Sequence, residues 1–125
     1  MRRIAFALAL AAVTATAAHG EPKPVARVDT VTAGILNNRL VVSASGAVAS
    51  GGWTQPRLHL EPRQPGSDTD VITFLATPPL ADAVVIQALL PIVTTAVFPL
   101  PRTGTVQVKV VSESNAVTAP IRPGR

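Results

Sequence analysis

The sequence predicts an all-β fold: an antiparallel β-sandwich of about seven strands, immunoglobulin-like, behind an N-terminal signal peptide. Three observations carry this. Stretches rich in Val, Ile, Thr and Leu alternate with polar residues, turn signals recur between them, and almost no stretch has helical period. A small barrel is the second architecture the pattern admits. The chain has no cysteine, so the Cys…Trp…Cys arrangement of antibody domains is absent and the likeness is architectural.

Residues 1–20 read as a cleaved signal peptide and residues 21–125 as one β-sandwich domain with loop-like ends. Arg2 and Arg3 precede an apolar run over residues 4–13, and Ala15-Thr16-Ala17 and Ala18-His19-Gly20 offer small-residue cleavage sites. The competing reading is an uncleaved anchor. A spanning helix needs about 20 consecutive apolar residues, and this run thins into Thr14, Thr16 and His19. Residues 84–100 are no better a span, being interrupted by Pro91 and Pro99. Lipid attachment at a bacterial signal needs a cysteine, so a lipoprotein is excluded. The address implied is periplasmic or secreted, with no stable membrane span.

Glu21-Pro22-Lys23-Pro24 is an extended lead-in, since each proline disfavours helix in the residue before it. Residues 25–36 make a first strand and Asn37-Asn38 a tight turn, because asparagine tolerates positive φ. Residues 39–50 return as a second strand with Leu40, Val42, Ala44, Gly46 and Val48 on one face. Gly46 inside it signals a bulge or a close backbone approach.

Gly51-Gly52 turns the chain into Trp53. Residues 57–61 then alternate, with Leu58 and Leu60 inward and Arg57, His59 and Glu61 outward. Residues 62–68 form a Pro- and Gly-containing loop, and residues 71–76 the next strand, stopped by Pro78-Pro79. Residues 84–90 and 92–98 are β-rich runs on either side of Pro91, which belongs at an edge, a bulge or a break. A short helix over residues 81–90 is the alternative there, opposed by the χ1 crowding of Val84-Val85-Ile86. Residues 105–111 place Val106, Val108 and Val110 inward, residues 112–115 turn, and residues 116–119 close the domain. The tail from Ala119 is loop-like.

The segment Ser45-Gly-Ala-Val-Ala-Ser-Gly-Gly-Trp-Thr-Gln-Pro-Arg-Leu58 resembles small exported bacterial proteins of uncharacterised function, through its Gly-Gly-Trp-x-x-Pro-x-Leu pattern. The later segment Val106-Gln-Val-Lys-Val-Val-Ser-Glu-Ser-Asn-Ala-Val-Thr118 is similar to their closing part. The resemblance covers about a quarter of the chain. It implies an exported β-domain and carries no catalytic residues.

Charge narrows the partners. The formal +4 includes Arg2 and Arg3, so residues 21–125 carry nine Lys+Arg against seven Asp+Glu, a net of +2. These charges are scattered, and the aromatics beyond the signal are Trp53, Phe74 and Phe98. Nucleic-acid binding wants a clustered basic face, often with stacking platforms, and is not expected. Without thiolates, metal ligands would have to come from His, Asp and Glu.

Few residues are candidates for a site. Trp53 is the candidate binding residue, an aromatic anchor at a loop end; the alternative is that it caps the core with its N–H bonded to a carbonyl. His59 is the only histidine if cleavage follows Gly20, and a lone histidine makes neither a zinc site nor a base without a nearby nucleophile. Asp68 and Asp70 suggest calcium, but calcium takes six to eight oxygens, and an Asx-type turn opening the next strand is the better reading. Glu61, Asp68, Asp70 and Asp82 are acids that the sequence gives no reason to pair. Gly51-Gly52 lacks the lysine and helix of a phosphate-binding loop.

The sequence therefore points to a non-enzymatic exported module, acting as a protein-interaction or envelope accessory domain, with no cofactor and no catalytic residue. The expected partner is another envelope or secreted protein. Loops 51–56, 62–70 and 99–104 are the expected contact surfaces. The alternatives are an inhibitor of an extracytoplasmic enzyme, presenting a proline-stiffened loop, and a small hydrolase using His59.

Overall fold

The alternation of apolar and polar side chains resolves into eight strands among residues 21–123, the part of the chain that the computed structural model describes. They are β1 (Lys23–Pro24), β2 (Arg27–Leu36), β3 (Arg39–Val48), β4 (Thr54–Leu60), β5 (Thr69–Thr77), β6 (Leu90–Pro99), β7 (Gln107–Val111) and β8 (Ala116–Arg122). No helix occurs among the described residues. The expected signal peptide lies outside them.

The β2–β3 hairpin forms as expected. Asn37 and Asn38 take φ of 52° and 60°, the doubly left-handed turn whose twist matches that of the flanking strands. Leu40, Val42, Ala44, Gly46 and Val48 are all buried. Gly46 is a close approach: a Cβ there would stand 2.1 Å from the carbonyl oxygen of Arg27.

That crowding sits beside a bulge. Val28 pairs with Gly46 and Thr30 with Ser45, leaving Asp29 as the extra residue of β2. A one-residue insertion inverts side-chain parity along a strand. Val28 is therefore buried before the bulge, while after it the odd-numbered Val31, Ala33 and Ile35 face the core. A uniform alternation does not describe this strand.

The sheet is mixed, which corrects the expectation of an antiparallel sandwich. β2–β3, β3–β6, β4–β5, β1–β5 and β7–β8 run antiparallel, but β5–β7 and β2–β8 are parallel. Apolar alternation reports which face of a strand is buried and says nothing of its neighbour's direction, so the sequence is silent on this point. Leu75 lies between Pro24 and Arg57, and Ile72 between Leu60 and Val110. Thus β1 and β7 share one edge of β5 and β4 holds the other. The full order from β4 through β5, β7, β8, β2 and β3 to β6 curls into a half-barrel. Its terminal strands β4 and β6 lie against each other, where the Thr94 hydroxyl donates to the Pro56 carbonyl at 3.4 Å.

The curl encloses one core, with Phe74, Leu40, Ile72, Val25, Val28, Val42, Val108 and Val110 fully buried. A large share of its chain is β-branched, which suits the half-buried surface of a pleated sheet. Pro91 sits in the terminal strand β6, consistent with the missing ladder donor.

Four further expectations are corrected. Residues 84–89 form neither strand nor helix; β6 begins only at Leu90, because Val84, Ile86 and Leu89 find no apolar surface to pack on and β propensity needs packing to be expressed. Val106 lies before β7 and is exposed rather than inward. β5 starts at Thr69 rather than Val71. The tail is structured as far as Arg122, since Ile121 and Arg122 pair with Ala33 and Gly34 of β2.

Candidate functional site

The strand directions sort the loops into two groups at opposite ends of the half-barrel. Loops 62–70 and 99–104 share one end, and loop 51–56 lies at the other with residues 78–89 and 112–115. The three expected contact loops are therefore not one surface.

At the first end Arg63 ties two of those loops together. Its Nε donates to Asp70 Oδ2 at 3.1 Å, its Nη1 to the Leu100 carbonyl at 3.1 Å and its Nη2 to the Pro99 carbonyl at 3.0 Å. Asp70, buried at the start of β5, thus turns inward as a structural ion pair. Asp68 accepts from the Thr69 hydroxyl at 2.8 Å. The turn itself is made by Ser67, whose Oγ accepts from the Thr69 N–H at 3.1 Å. A serine hydroxyl rather than an aspartate therefore makes the turn into β5, which corrects the expectation of an Asx-type turn. Among the described residues no three His, Asp or Glu side chains gather as a metal site would require.

His59 is exposed on the outer face of β4, opposite Thr73 in register. The Thr73 hydroxyl donates to Glu61 Oε2 at 2.6 Å. A hydroxyl, a carboxylate and an imidazole thus share one neighbourhood, but on an open sheet face and not in a concavity that could hold a substrate.

A cavity of about 400 Å³ lined by Asn37, Asn38, Arg39, Pro99 and Leu100 lies at the first end, and a larger groove at the second. A groove of about 790 Å³ opens between the start of β4 and residues 77–85. Its polar side carries Thr54, Gln55, Arg57 and Thr77, and its apolar side Pro78, Pro79, Leu80 and Val85. Gln55 sits at a bulge, with Thr54 opposite Thr77 and Arg57 opposite Leu75, and takes φ of 52°. A left-handed non-glycine residue costs about 1–2 kcal/mol, and bulges re-aim side chains beside binding sites. Its Oε1 accepts from the Thr77 hydroxyl at 3.4 Å.

Gly51-Gly52 builds this end. The Gly51 N–H donates to the Ile86 carbonyl at 2.8 Å. Gly52 has φ of 87°, and a Cβ there would stand 2.8 Å from Pro79 and 2.9 Å from Val85. The two glycines therefore seat the base of residues 78–89, while Val84 is fully exposed and Leu80, Ile86 and Leu89 are also exposed. Trp53 follows, half-buried and packed against the core. The sequence marked loop 51–56 with Trp53 as a contact surface and Arg57 as outward, but not the left-handed bulge at Gln55 nor the part played by residues 78–89. Glutamine carries no left-handed signal of the kind that marks Asn37 and Asn38, and an apolar run reads as strand until its neighbours are known.

No protein-family model, curated protein or solved structure matches this chain.

Proposed function

We propose that the chain is an exported, non-enzymatic β-domain that acts by contact, as an accessory module of the cell envelope, through the end formed by residues 51–56 and 78–89. One observation carries the reading: Leu80, Val84, Ile86 and Leu89 stand exposed on a single segment whose base is fastened to the scaffold. A soluble monomer scatters exposed apolar side chains; grouping them marks an interaction surface. The export-type sequence of residues 1–20 supports the address. His59, Thr73 and Glu61 lie on an open sheet face, apart from Asp68 and Asp70 at the first end and Asp82 at the other; that no cleft holds any of them together supports a role without chemistry.

The test is photocrosslinking in cells that export the full chain, with a photoreactive residue at position 84, at position 86, or at Thr118 on the exposed face of β8. Adducts from positions 84 and 86, with none from position 118, are expected. Absence of adducts at 84 and 86 overturns the reading.

A further inference from the structure

We infer that β6 is a dimerisation edge: it pairs antiparallel with β6 of a second copy of this chain, in a register centred on Thr95. The inference is independent of the contact reading above and uses none of residues 51–56 or 78–89.

Strand register fixes which way the backbone groups of β6 face. Leu36 and Arg39 flank the two-residue turn and are partners. They form a hydrogen-bonded pair, and such pairs alternate along an antiparallel ladder. Arg39, Val41 and Ser43 therefore bond toward β2, and Leu40, Val42, Ala44 and Gly46 toward β6. Their partners there are Phe98, Ala96, Thr94 and Ile92. The N–H and C=O groups of Val93, Thr95 and Val97 consequently point away from β3. So does the C=O of Pro99, which accepts from Arg63 Nη2 at 3.0 Å. β6 ends the sheet, and no backbone–backbone hydrogen bond among the described residues reaches the outward groups of Val93, Thr95 and Val97. The neighbouring β4 meets β6 through the Thr94 side chain and not through this row.

This edge lacks the devices that protect terminal strands. β6 is 10 residues long, pairs with β3 without a bulge and carries no charge, whereas charge, a bulge or shortness ordinarily keeps an edge from pairing. The opposite rim is guarded, since β4 has the bulge at Gln55 and the exposed Arg57.

The sequence of β6 makes a second copy the fitting partner. From Pro91 to Pro99 it reads Pro-Ile-Val-Thr-Thr-Ala-Val-Phe-Pro, nearly the same by residue class in either direction about Thr95. In the self-paired register Pro91 falls opposite Pro99, so the positions without an N–H meet each other at both ends of the ladder. Between them Val93 pairs with Val97 and Thr95 with its own copy, each pair exchanging both N–H···O bonds. Val93, 63% exposed, covers Val97, 55% exposed, on the outer face. Ile92 meets Phe98 on the core face, where both are half-buried. Pairs of β-branched and aromatic side chains across strands are stabilising. A patch that contacts its own copy is the isologous arrangement of a twofold dimer.

Sedimentation equilibrium tests this, using exported protein whose N-terminus has been read by mass spectrometry. A dimer is expected in the micromolar range. Thr95 is exposed on the outer face and lies opposite itself across the twofold axis. Thr95→Lys therefore sets two ammonium groups side by side and should raise the dissociation constant about fivefold or more. Thr95→Glu should do the same alone, and an equimolar mixture of the two variants should pair at least as tightly as the parent. That rescue reports the register, because a twofold axis at Thr95 is what brings position 95 against itself, and it also shows that both variants are folded. A parent that is monomeric throughout the micromolar range overturns the inference. So does a Thr95→Lys variant that dimerises as tightly as the parent, or a mixture that pairs no more tightly than either variant alone.

Discussion

Arg63 and Asp70 form a part-buried ion pair, Nε to Oδ2 at 3.1 Å, with the carboxylate side chain 3% exposed and the guanidinium side chain 17% exposed. The remaining guanidinium nitrogens reach the Leu100 and Pro99 carbonyls, so one side chain joins the β4–β5 loop to the end of β6. Breaking such a pair from one side leaves a buried charge without its partner. Arg63→Ala should lower unfolding free energy by about 3 kcal/mol, and replacing both members with apolar residues should restore much of it. Urea unfolding of the single and double variants measures this; a single variant within about 0.5 kcal/mol of the parent would contradict it.

Asn115 closes the other end. Its Oδ1 accepts from the Val28 N–H at 2.9 Å and its Nδ2 donates to the Val28 carbonyl at 2.8 Å, as a neighbouring strand would. Ser112 Oγ, 2.6 Å from Asn115 Oδ1, helps hold the amide. Asn115→Ala removes both partners of Val28 next to the bulge and should cost about 2 kcal/mol. Faster hydrogen exchange of the Val28 amide is the local readout.

Gly46 tolerates no side chain. With a Cβ placed 2.1 Å from the Arg27 carbonyl oxygen, Gly46→Ala must spread β2 from β3 at the bulge and should cost about 3 kcal/mol. Thermal unfolding reports it. Gly66→Ala is the contrast: nothing lies within 4 Å of a Cβ there, but φ is 82°, so its cost is one of backbone conformation alone, about 1–2 kcal/mol.

Gln55→Gly should leave stability unchanged or raise it by up to about 1 kcal/mol, because relief of the left-handed strain outweighs or balances the greater freedom that glycine gives the unfolded chain. A clear loss of stability in urea would show that the Gln55 amide, through Thr77, contributes more than its backbone costs.

His59→Ala should change unfolding free energy by less than about 0.5 kcal/mol, as expected for an exposed sheet position away from any buried network. It should also leave crosslinking from positions 84 and 86 intact. Loss of those adducts would place His59 in the contact surface.

Much of the fold was legible because burial in a sheet writes itself into alternate residues. The β3 face from Leu40 to Val48, the Asn37-Asn38 hairpin, the close approach at Gly46 and the position of Pro91 all follow from side-chain parity, φ tolerance or a missing donor. Of the site, the sequence marked Trp53 as a candidate binding residue and loop 51–56 as a contact surface. The left-handed bulge at Gln55 and the exposure of the segment after Pro78-Pro79 were not visible, since both depend on what lies opposite.

The sequence by itself determined an all-β chain, most of its strands and turns, and the core faces of β3 and β7, because these depend on local periodicity and on backbone preference. The tertiary structure decided the rest: parallel pairing of β5 with β7 and β2 with β8, the parity inversion at Asp29, the inward turn of Asp70 toward Arg63, and the stranding of Val84, Ile86 and Leu89 outside the core. Each of these is a relation between segments far apart in the chain. An apolar residue states only that it prefers to leave water; whether a partner is there to receive it is settled by the fold.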